Sequence, residues 1–364
     1  MARRTKRPTL ADLAAAAGVS RATASNAFNR PEKLSPQLRA KLLALAEELH
    51  YAGPDPAAAG LRRGRVGAIG VLTADRLNFA FSDPAALQIL DGVAEAVGKA
   101  DIGLLLLAGQ GSGVGPAPAR VNGAAVDGFV SYCLGRDDPA LDALRRRRLP
   151  VVSIDESPGR GFLAVDLDEE GGVTSLVTHL LELGHRRFAI VTLDGGSGMR
   201  SGPIGADHIA DIRFAVVRRR LDGALVSLAD AGIDPADVVI YQPEDNSPAA
   251  GELAAAWLVT HTPRPTAIIC QSDQLAIGVL SGLGKSDLRV PGDVSVAGFD
   301  DIAAATRSVP PLTTVRQPLR ERGRKAGELV LTALAGGRPR SVRLPTELVV
   351  RGSTGEPMRR RRGR

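Results

Sequence analysis

From residue 66 onward the sequence repeats one alternation: a short apolar run followed by a longer stretch of helical character. Val66–Leu72, Leu104–Leu107, Asp127–Ser131 and Val151–Ile154 read as buried strands, with Pro84–Lys99 and Pro139–Arg147 as helices between them. The cycle then restarts: Glu169–Leu183 (helix), Phe188–Thr192 (strand), Ile212–Ala231 (helix), Val238–Tyr241 (strand), Pro248–His261 (helix), Ala267–Cys270 (strand), Asp273–Gly282 (helix). Strands separated by helices pair in parallel through right-handed crossovers, which excludes hairpin-built folds. Two successive series predict two α/β lobes. Aromatic residues make up only 3% of the chain, so these cores must be built from Ala, Val, Leu and Ile. The Gly/Pro-rich segment 109–120 and the Gly-rich segment 195–207 read as loops; neither follows a dinucleotide or phosphate-loop pattern. Arg145–Arg148 reads as a solvated helix end.

The first fifty residues obey a different rule. Thr9 can cap a helix starting at Leu10, with Asp12 as its acidic partner. Leu10, Leu13, Ala14 and Ala17 form one apolar face, and Gly18 is placed to end the helix. After a very short turn Ser20 caps a second helix, and Ser35-Pro36 opens a third with the stripe Leu38, Leu42, Leu45, Ala46 and Leu49. Two short helices across so tight a turn are the signature of a helix-turn-helix. In the second helix Val19, Ala24, Ala27 and Phe28 can pack inward, while Arg21, Ala22, Ser25 and Asn26 share the opposite side. Arg21 suits a bidentate contact to guanine, Asn26 one to adenine, and Ala22 offers a methyl to thymine. Ser20, Thr23, Ser25 and Asn29 are short donors suited to phosphate oxygens, and Thr9 heads the first helix at the edge of the same set. A three-helix cap with a merely polar outer face is the alternative.

Charge favours the first reading. Residues 1–64 carry eleven Lys and Arg against five Asp and Glu, which is the whole of the net +6. A basic patch focused on one small helical unit fits a polyanion.

The run Thr9-Leu10-Ala11-Asp12-Leu13-Ala14-Ala15-Ala16-Ala17-Gly18-Val19-Ser20-Arg21-Ala22-Thr23-Ala24-Ser25-Asn26, followed by Asn29, resembles the headpiece of the lactose-repressor (LacI) family. The blocks Leu183-Gly184-His185-Arg186-Arg187, Asp293 to Asp301 and Pro310 to Pro318 extend the resemblance to about residue 355. It implies that Arg21, Ala22 and Asn26 read bases. It also implies that Ala58 and Leu61 belong to a short hinge helix whose leucine wedges into the minor groove; a plain linker is the alternative for this segment. The expected organisation is a headpiece (1–50), a hinge (51–64), a first lobe (65–162 and 300–320), a second lobe (163–299 and 321–355) and a basic tail (356–364). The fold class is thus an all-α helix-turn-helix plus a two-lobed, periplasmic-binding-protein-like region with parallel sheets. In that fold a ligand sits between the lobes and drives hinge motion. The resemblance places Arg220 and Asp300 at the effector, although surface ion pairing remains open for both. Phe81, Ser82 and Asp83 follow the first strand and can line the mouth. Asn246 stands where an aromatic residue is common, and Ser272 where asparagine is common. His185 reads as structural, and Asp273 as a helix cap.

Cys133 and Cys270 are the only cysteines, far apart and in apolar surroundings, so no disulfide framework or metal motif is expected. No apolar run of transmembrane length is present, and no secretory leader is expected. The expectation is a cytoplasmic homodimer without cofactor or membrane partner. Its partners would be double-stranded operator DNA and a small polar effector, sugar-like or otherwise. Two other classes compete. A solute-binding protein without gene control would leave the basic headpiece unexplained. An enzyme would need a nucleophile–base pair, metal cluster or phosphate loop; Asp166 and Asp168 read more simply as a strand end and a helix cap.

Overall fold

The computed structural model describes residues 8–53, 65–109, 114–135, 137–155, 159, 161–196 and 201–358. The expected hinge residues Ala58 and Leu61 lie outside them, as does the arginine run of the tail, 359–364. The chain divides into two units, residues 1–67 and 68–364.

In the first unit, α1 (Leu10–Ala17), α2 (Arg21–Asn29), a 3₁₀ turn (Pro31–Lys33) and α3 (Pro36–Glu48) follow in order. Thr9 closes a reciprocal capping box: its Oγ1 accepts from the Asp12 amide at 3.3 Å, and Asp12 Oδ2 accepts from the Thr9 amide at 2.8 Å. Gly18, at φ +69°, supplies the left-handed turn that ends α1. Ser20 Oγ accepts from the Thr23 amide at 3.0 Å and so starts α2. Leu13, Ala14, Ala17, Ala24, Ala27, Leu42 and Ala46 form the buried core, and Phe28 packs edge-to-face on Tyr51 at 5.8 Å.

The second unit runs β1 (Ala68–Thr73), α4 (Leu77–Ser82), α5 (Pro84–Gly98), β2 (Gly103–Ala108), α6 (Pro118–Gly123), β3 (Gly128–Tyr132), α7 (Pro139–Arg147), β4 (Val151–Ile154), β5 (Leu163–Leu167) and α8 (Glu169–Glu182). It continues with β6 (Phe188–Val191), β7 (Gly202–Pro203), α9 (Ala206–Ile209), α10 (Ala215–Asp230), β8 (Val239–Gln242), α11 (Pro248–Leu258), β9 (Ala267–Cys270), α12 (Asp273–Lys285) and β10 (Ser295–Asp300). Last come β11 (Thr313–Arg316), α13 (Leu319–Leu334), β12 (Val342–Leu344) and β13 (Glu347–Val349).

The strands form two sheets, ordered β12-β5-β4-β3-β1-β2 and β13-β11-β10-β9-β6-β8-β7. The first is parallel throughout; the second is parallel except at its edges, where β13 and β7 run antiparallel. Each sheet is buried on both faces, as its continuous apolar strands require.

Strand pairing corrects the expected partition of the lobes. β5 joins the first sheet beside β4, with Val152 opposite Leu163, and β12 joins beyond it. Helix α13 buries Leu319, Ala326 and Val330 in the core of that same lobe. Residues 163–167 and 319–344 therefore belong to the first lobe, whereas 300–316 belong to the second. Glycines bring α13 and α5 together: a Cβ on Gly323 would stand 1.9 Å from the Ile89 carbonyl oxygen, and one on Gly92 2.0 Å from that of Arg320.

The chain thus crosses between lobes three times: at Asp168, at Gln317-Pro318 and at Pro345-Thr346. Two of these crossings are tied together. The Asp168 amide donates to the Leu344 carbonyl at 2.9 Å, Thr346 Oγ1 to the Asp168 carbonyl at 2.9 Å, and Arg343 pairs with Asp168 at 2.7 Å.

Smaller differences from expectation follow local chemistry. The segments read as loops contain β7 and overlap the starts of α6 and α9, which are too short to show a periodicity. Arg147 is not simply solvated, since its Nη1 donates to the carbonyls of Val121, Asn122 and Ala124 at the end of α6 (2.7, 3.0 and 2.8 Å). His185 is buried, its ring nitrogens within 3.0 Å of Thr266 Oγ1, Ser295 Oγ and the Gly355 carbonyl. Asp273 is not the cap of α12: Ser272 is, its Oγ accepting from the Leu275 amide at 3.2 Å.

Candidate functional site

In the first unit α2 turns Ala24 and Ala27 inward and leaves Arg21 and Ala22 exposed, with Ser25 and Asn26 half-buried beside them. Arg21 has no hydrogen bond or ion pair among the described residues, so its guanidinium fork is uncommitted. The short polar residues are more engaged. Ser20 Oγ and Thr23 Oγ1 bond each other at 2.8 Å, Thr9 Oγ1 donates to Asp12 at 2.7 Å, and Asn29 Nδ2 folds back onto Ser25 Oγ at 3.1 Å. These residues build the helix starts and the end of α2. Arg21, Ala22 and Asn26 stand on the outward surface between them.

In the second unit a cavity of about 470 Å³ opens between the lobes, where the carboxyl ends of the parallel strands meet. This is where open α/β sheets place ligands, because side chains following each strand converge there. Asp83, Arg220, Asn246, Ser272 and Asp300 all line it. Phe81 and Ser82 do not; they sit exposed on the short helix α4. Asp83 is turned inward because its Oδ1 caps α5, accepting from the Ala85 amide at 2.9 Å.

Arg220 is 4% exposed and held from three sides. It pairs with the buried Glu169 at 3.2 Å, donates to the Gln271 carbonyl at 2.7 Å, and stacks on Phe299 with 3.8 Å to the ring centroid. Glu169 is pinned in turn by Arg219 at 2.7 Å. Asn246 bonds the Ser272 hydroxyl, which joins the loop after β8 to the cap of α12.

Asp300 ends β10 at φ +129°, a conformation that costs a non-glycine residue on the order of 1–3 kcal/mol. Its carboxylate accepts from Gln317 Nε2 and, at 3.4 Å, from the Asp273 amide. Burial, then the charge of Asp273 behind it, drives the Asp300 carboxyl well above the usual carboxylate range. Burial also pushes Asp273 up to about 6, against hydrogen bonds from Thr314 Oγ1 and the Ile302 amide. After β1, Asp75 also lines the cavity and is pushed up to about 6 by burial and by the charges of Asp83 and Asp194.

Sequence reasoning missed Asp75, Asp155, Asp194, Gln317 and Arg322, all of which line the cavity. A usable signal existed for four of them: Asp75, Asp155, Asp194 and Gln317 each fall within three residues of the end of a parallel strand. Arg322, on α13, carried no such mark. It is 1% exposed and pairs with Asp155, while its Nη1 donates to Gln317 Oε1 at 2.6 Å. Gln317 then donates to Asp300, so one chain of bonds (Asp155, Arg322, Gln317, Asp300) spans the floor from lobe to lobe.

A helix-turn-helix with an open polar face, on a chain that also holds a two-lobed α/β region with an interlobe cavity, defines a DNA-binding transcription regulator. Known proteins agree. Residues 9–53 match the description "Bacterial regulatory proteins, lacI family", and residues 177–354 the "Periplasmic binding protein-like domain". The "HTH-type transcriptional regulator Rv3575c" of Mycobacterium tuberculosis is 40% identical over 354 residues, covering 97% of this chain and 98% of that one. The crystal structure of a LacI-family regulator from Corynebacterium glutamicum superposes with TM-score 0.73 at 34% identity, over 97% of this chain and 99% of that one. The lac repressor dimer bound to operator and the anti-inducer ONPF gives TM-score 0.76 at 25% identity, over 96% and 100%. The chain belongs to the LacI family of transcription regulators. Among the described residues no helix is long and apolar enough to cross a membrane.

Proposed function

We propose that this regulator is a repressor that binds an inverted-repeat operator as a homodimer and is controlled by a small polar effector held between its lobes. The observation that carries this reading is the cavity floor, where residues of both lobes are bonded into one chain. A ligand there touches both lobes and can weigh one lobe arrangement against another. It shifts the balance only by binding the two states unequally. A two-fold dimer presents two copies of α2 about one helical turn apart, which is why its site is an inverted repeat.

In this reading Arg21 and Asn26 make bidentate contacts to base edges and Ala22 contacts a thymine methyl. Ser20, Thr23, Ser25, Asn29 and Thr9 position the helix at the backbone. The hinge residues Ala58 and Leu61 complete the grip at the centre of the site. Arg220 and Asp300 orient the effector from below, and Asp83, Asn246 and Ser272 hold its edges. The lac repressor, whose dimer is seen on operator with a small ligand, supports this division of labour.

Selection of bound DNA from a random pool tests the reading. It should return an inverted repeat, and affinity for that repeat should fall steeply with salt, as phosphate-dominated binding does. A chain that enriches no sequence would instead be a small-molecule-binding protein without gene control.

A further inference from the structure

The first lobe is polarised along its strands. Its sheet is parallel throughout, so every strand begins at one edge and ends at the other. The carboxyl ends turn Asp75 and Asp155 into the cavity. At the opposite edge α7 closes on Arg145-Arg146-Arg147-Arg148 before β4, and the loop from α13 to β12 carries Arg338 and Arg340. Only β5 separates β4 from β12, which puts the two segments about 10 Å apart at the backbone. Neither segment holds a carboxylate, nor do the described residues that enter β5 between them.

Two of these arginines build the fold. Arg145 pairs with Asp142 at 2.8 Å and lies over the Phe162 ring, 5.4 Å from its centroid. Arg147 holds the carbonyls that end α6 and lies 5.4 Å from the centroid of Phe129. The other four are exposed, and among the described residues Arg146, Arg148, Arg338 and Arg340 have no ion pair or side-chain hydrogen bond. Their backbones are nonetheless placed. Arg148 ends α7 at φ +50°, in the left-handed region that glycine occupies without steric cost. An arginine there runs against local preference, so folding alone does not ask for it. Ser341 Oγ accepts from the Ala164 amide at 2.9 Å and so ties the loop of Arg338 and Arg340 to β5.

Four such guanidiniums on one edge call for a partner with repeated anionic groups. Each fork can take two phosphate oxygens at once. Duplex DNA offers one charge per about 1.7 Å of its axis. Connectivity favours this polyanion over others. β1 starts at the same edge, and residues 54–64 join it to the helix-turn-helix unit. A segment of that length spans at most about 40 Å. A duplex gripped by α2 is thereby kept at high effective concentration around the four arginines.

We infer that the amino-terminal edge of the first lobe is a second, sequence-independent DNA contact, in which Arg146, Arg148, Arg338 and Arg340 bind phosphates of the duplex held by α2. Such contacts add affinity but no base preference. The inference rests on the DNA-binding role of the headpiece and adds a site outside it.

The test compares the full-length parent with Arg146→Gln/Arg148→Gln/Arg338→Gln/Arg340→Gln by fluorescence anisotropy. The probes are labelled duplexes of about 40 base pairs, one bearing the repeat returned by selection and one of arbitrary sequence, titrated between about 50 and 200 mM salt. Losing one phosphate per protomer should flatten the slope of log affinity against log salt by about 1.8 for a dimer, and weaken binding at the low-salt end at least about tenfold on both duplexes. The ratio of the two affinities should stay within about twofold of the parent's, since phosphates carry no sequence information. Arg146→Lys/Arg148→Lys/Arg338→Lys/Arg340→Lys keeps the charges and should recover most of the slope. Should the glutamine variant not fold, Arg146→Gln/Arg148→Gln alone should flatten the slope by at least about 0.9. A slope within about 0.5 of the parent's overturns the inference even where affinity falls, because damage to the fold weakens binding without changing the counterions released. A collapsed ratio also overturns it, by placing these arginines among the base-reading contacts. If selection returns no repeat, the arbitrary duplex still decides the matter. If the parent binds neither duplex, the DNA-binding role of the headpiece fails and the inference goes with it.

Discussion

Arg322→Met isolates the energetics of the cleft floor. Methionine keeps an apolar stem in the helix interface and removes the guanidinium. Asp155, 5% exposed, is then left with Cys133 Sγ at 3.4 Å and the more distant charge of Arg220. Removing one partner of a buried pair costs about 3–5 kcal/mol, because the other charge stays buried without compensation. At roughly 2 °C per kcal/mol for a chain of this size, melting should fall by about 6–10 °C near neutral pH. The pH dependence gives a sharper check. In the parent, burial pushes the Asp155 carboxyl up, but the Arg322 charge and hydrogen bond outweigh it and hold the group below its ordinary value of 3.8. That pair therefore stabilises above the unfolded-chain value and is lost only as pH falls through the lower folded one. Without Arg322, only the Arg220 charge and the Cys133 hydrogen bond oppose burial, and the folded-state value moves above 3.8. The defect is then greatest at neutral pH and shrinks on acidification, as the carboxyl takes up a proton. Circular-dichroism melts at about pH 7.5 and about pH 5 should show the gap between parent and variant narrowing. Asp155→Asn added to Arg322→Met should restore most of the loss. A gap under about 2 °C at the higher pH (less than about 1 kcal/mol), one that widens on acidification, or a double variant no better than the single would refute the argument.

Three further outcomes are expected. Gly323→Ala forces a Cβ against the Ile89 carbonyl at 1.9 Å; prying α13 from α5 should cost about 1–3 kcal/mol in a thermal melt, and an unchanged melt would mean the helices can slide apart freely. Arg21→Ala should relax preference at one base per half-site by about 1–3 kcal/mol in a selection experiment, whereas unchanged preference with weaker overall binding would confine Arg21 to the backbone. Asp75 is raised from 3.8 to about 6 through burial and the charges of Asp83 and Asp194, so its ionisation increasingly opposes folding as pH rises from 3.8 to about 6. Asp75→Asn should therefore melt higher than the parent at neutral pH, with the advantage shrinking as pH falls below about 6 and gone below 3.8; an advantage constant with pH would point to packing rather than charge.

Much of this architecture is legible in the residues, and the gaps have physical reasons. The headpiece declares itself through caps: Thr9, Gly18, Ser20 and Ser35-Pro36 fix each helix end by local chemistry alone. The central strands declare themselves because parallel sheets are buried on both faces. β5 and β12 were lost because Leu163–Leu167 and Val342–Leu344 are short and interrupted by polar residues, and their place was set by pairing, which no single segment encodes. The same applies to the lobe partition. Apolar patterning tells a helix which face to bury but not which of two sheets to bury it against. In the cleft, Arg220 and Asp300 were found by resemblance, whereas Asp75 and Asp194 needed only the geometry of strand ends. Arg322 could not be found in advance: its partners, Asp155 and Gln317, lie 167 and 5 residues away, and only the folded chain unites them.

The return of α13 and β12 to the first lobe also bears on the order in which the chain can become folded as it is made. Synthesis runs from the amino end, so β1 to β5 emerge long before the helix that must cover α5 and the strand that must seal the β5 edge. Until residues 319–344 leave the ribosome, the face of α5 around Gly92 stays bare and one parallel edge lacks its neighbour. The second lobe, completed by β11 and β13, waits slightly longer, because β13 follows β12 in the chain. Neither half can settle first and act as a template for the other, so a nascent chain halted near residue 300 should remain a client of chaperones or proteases.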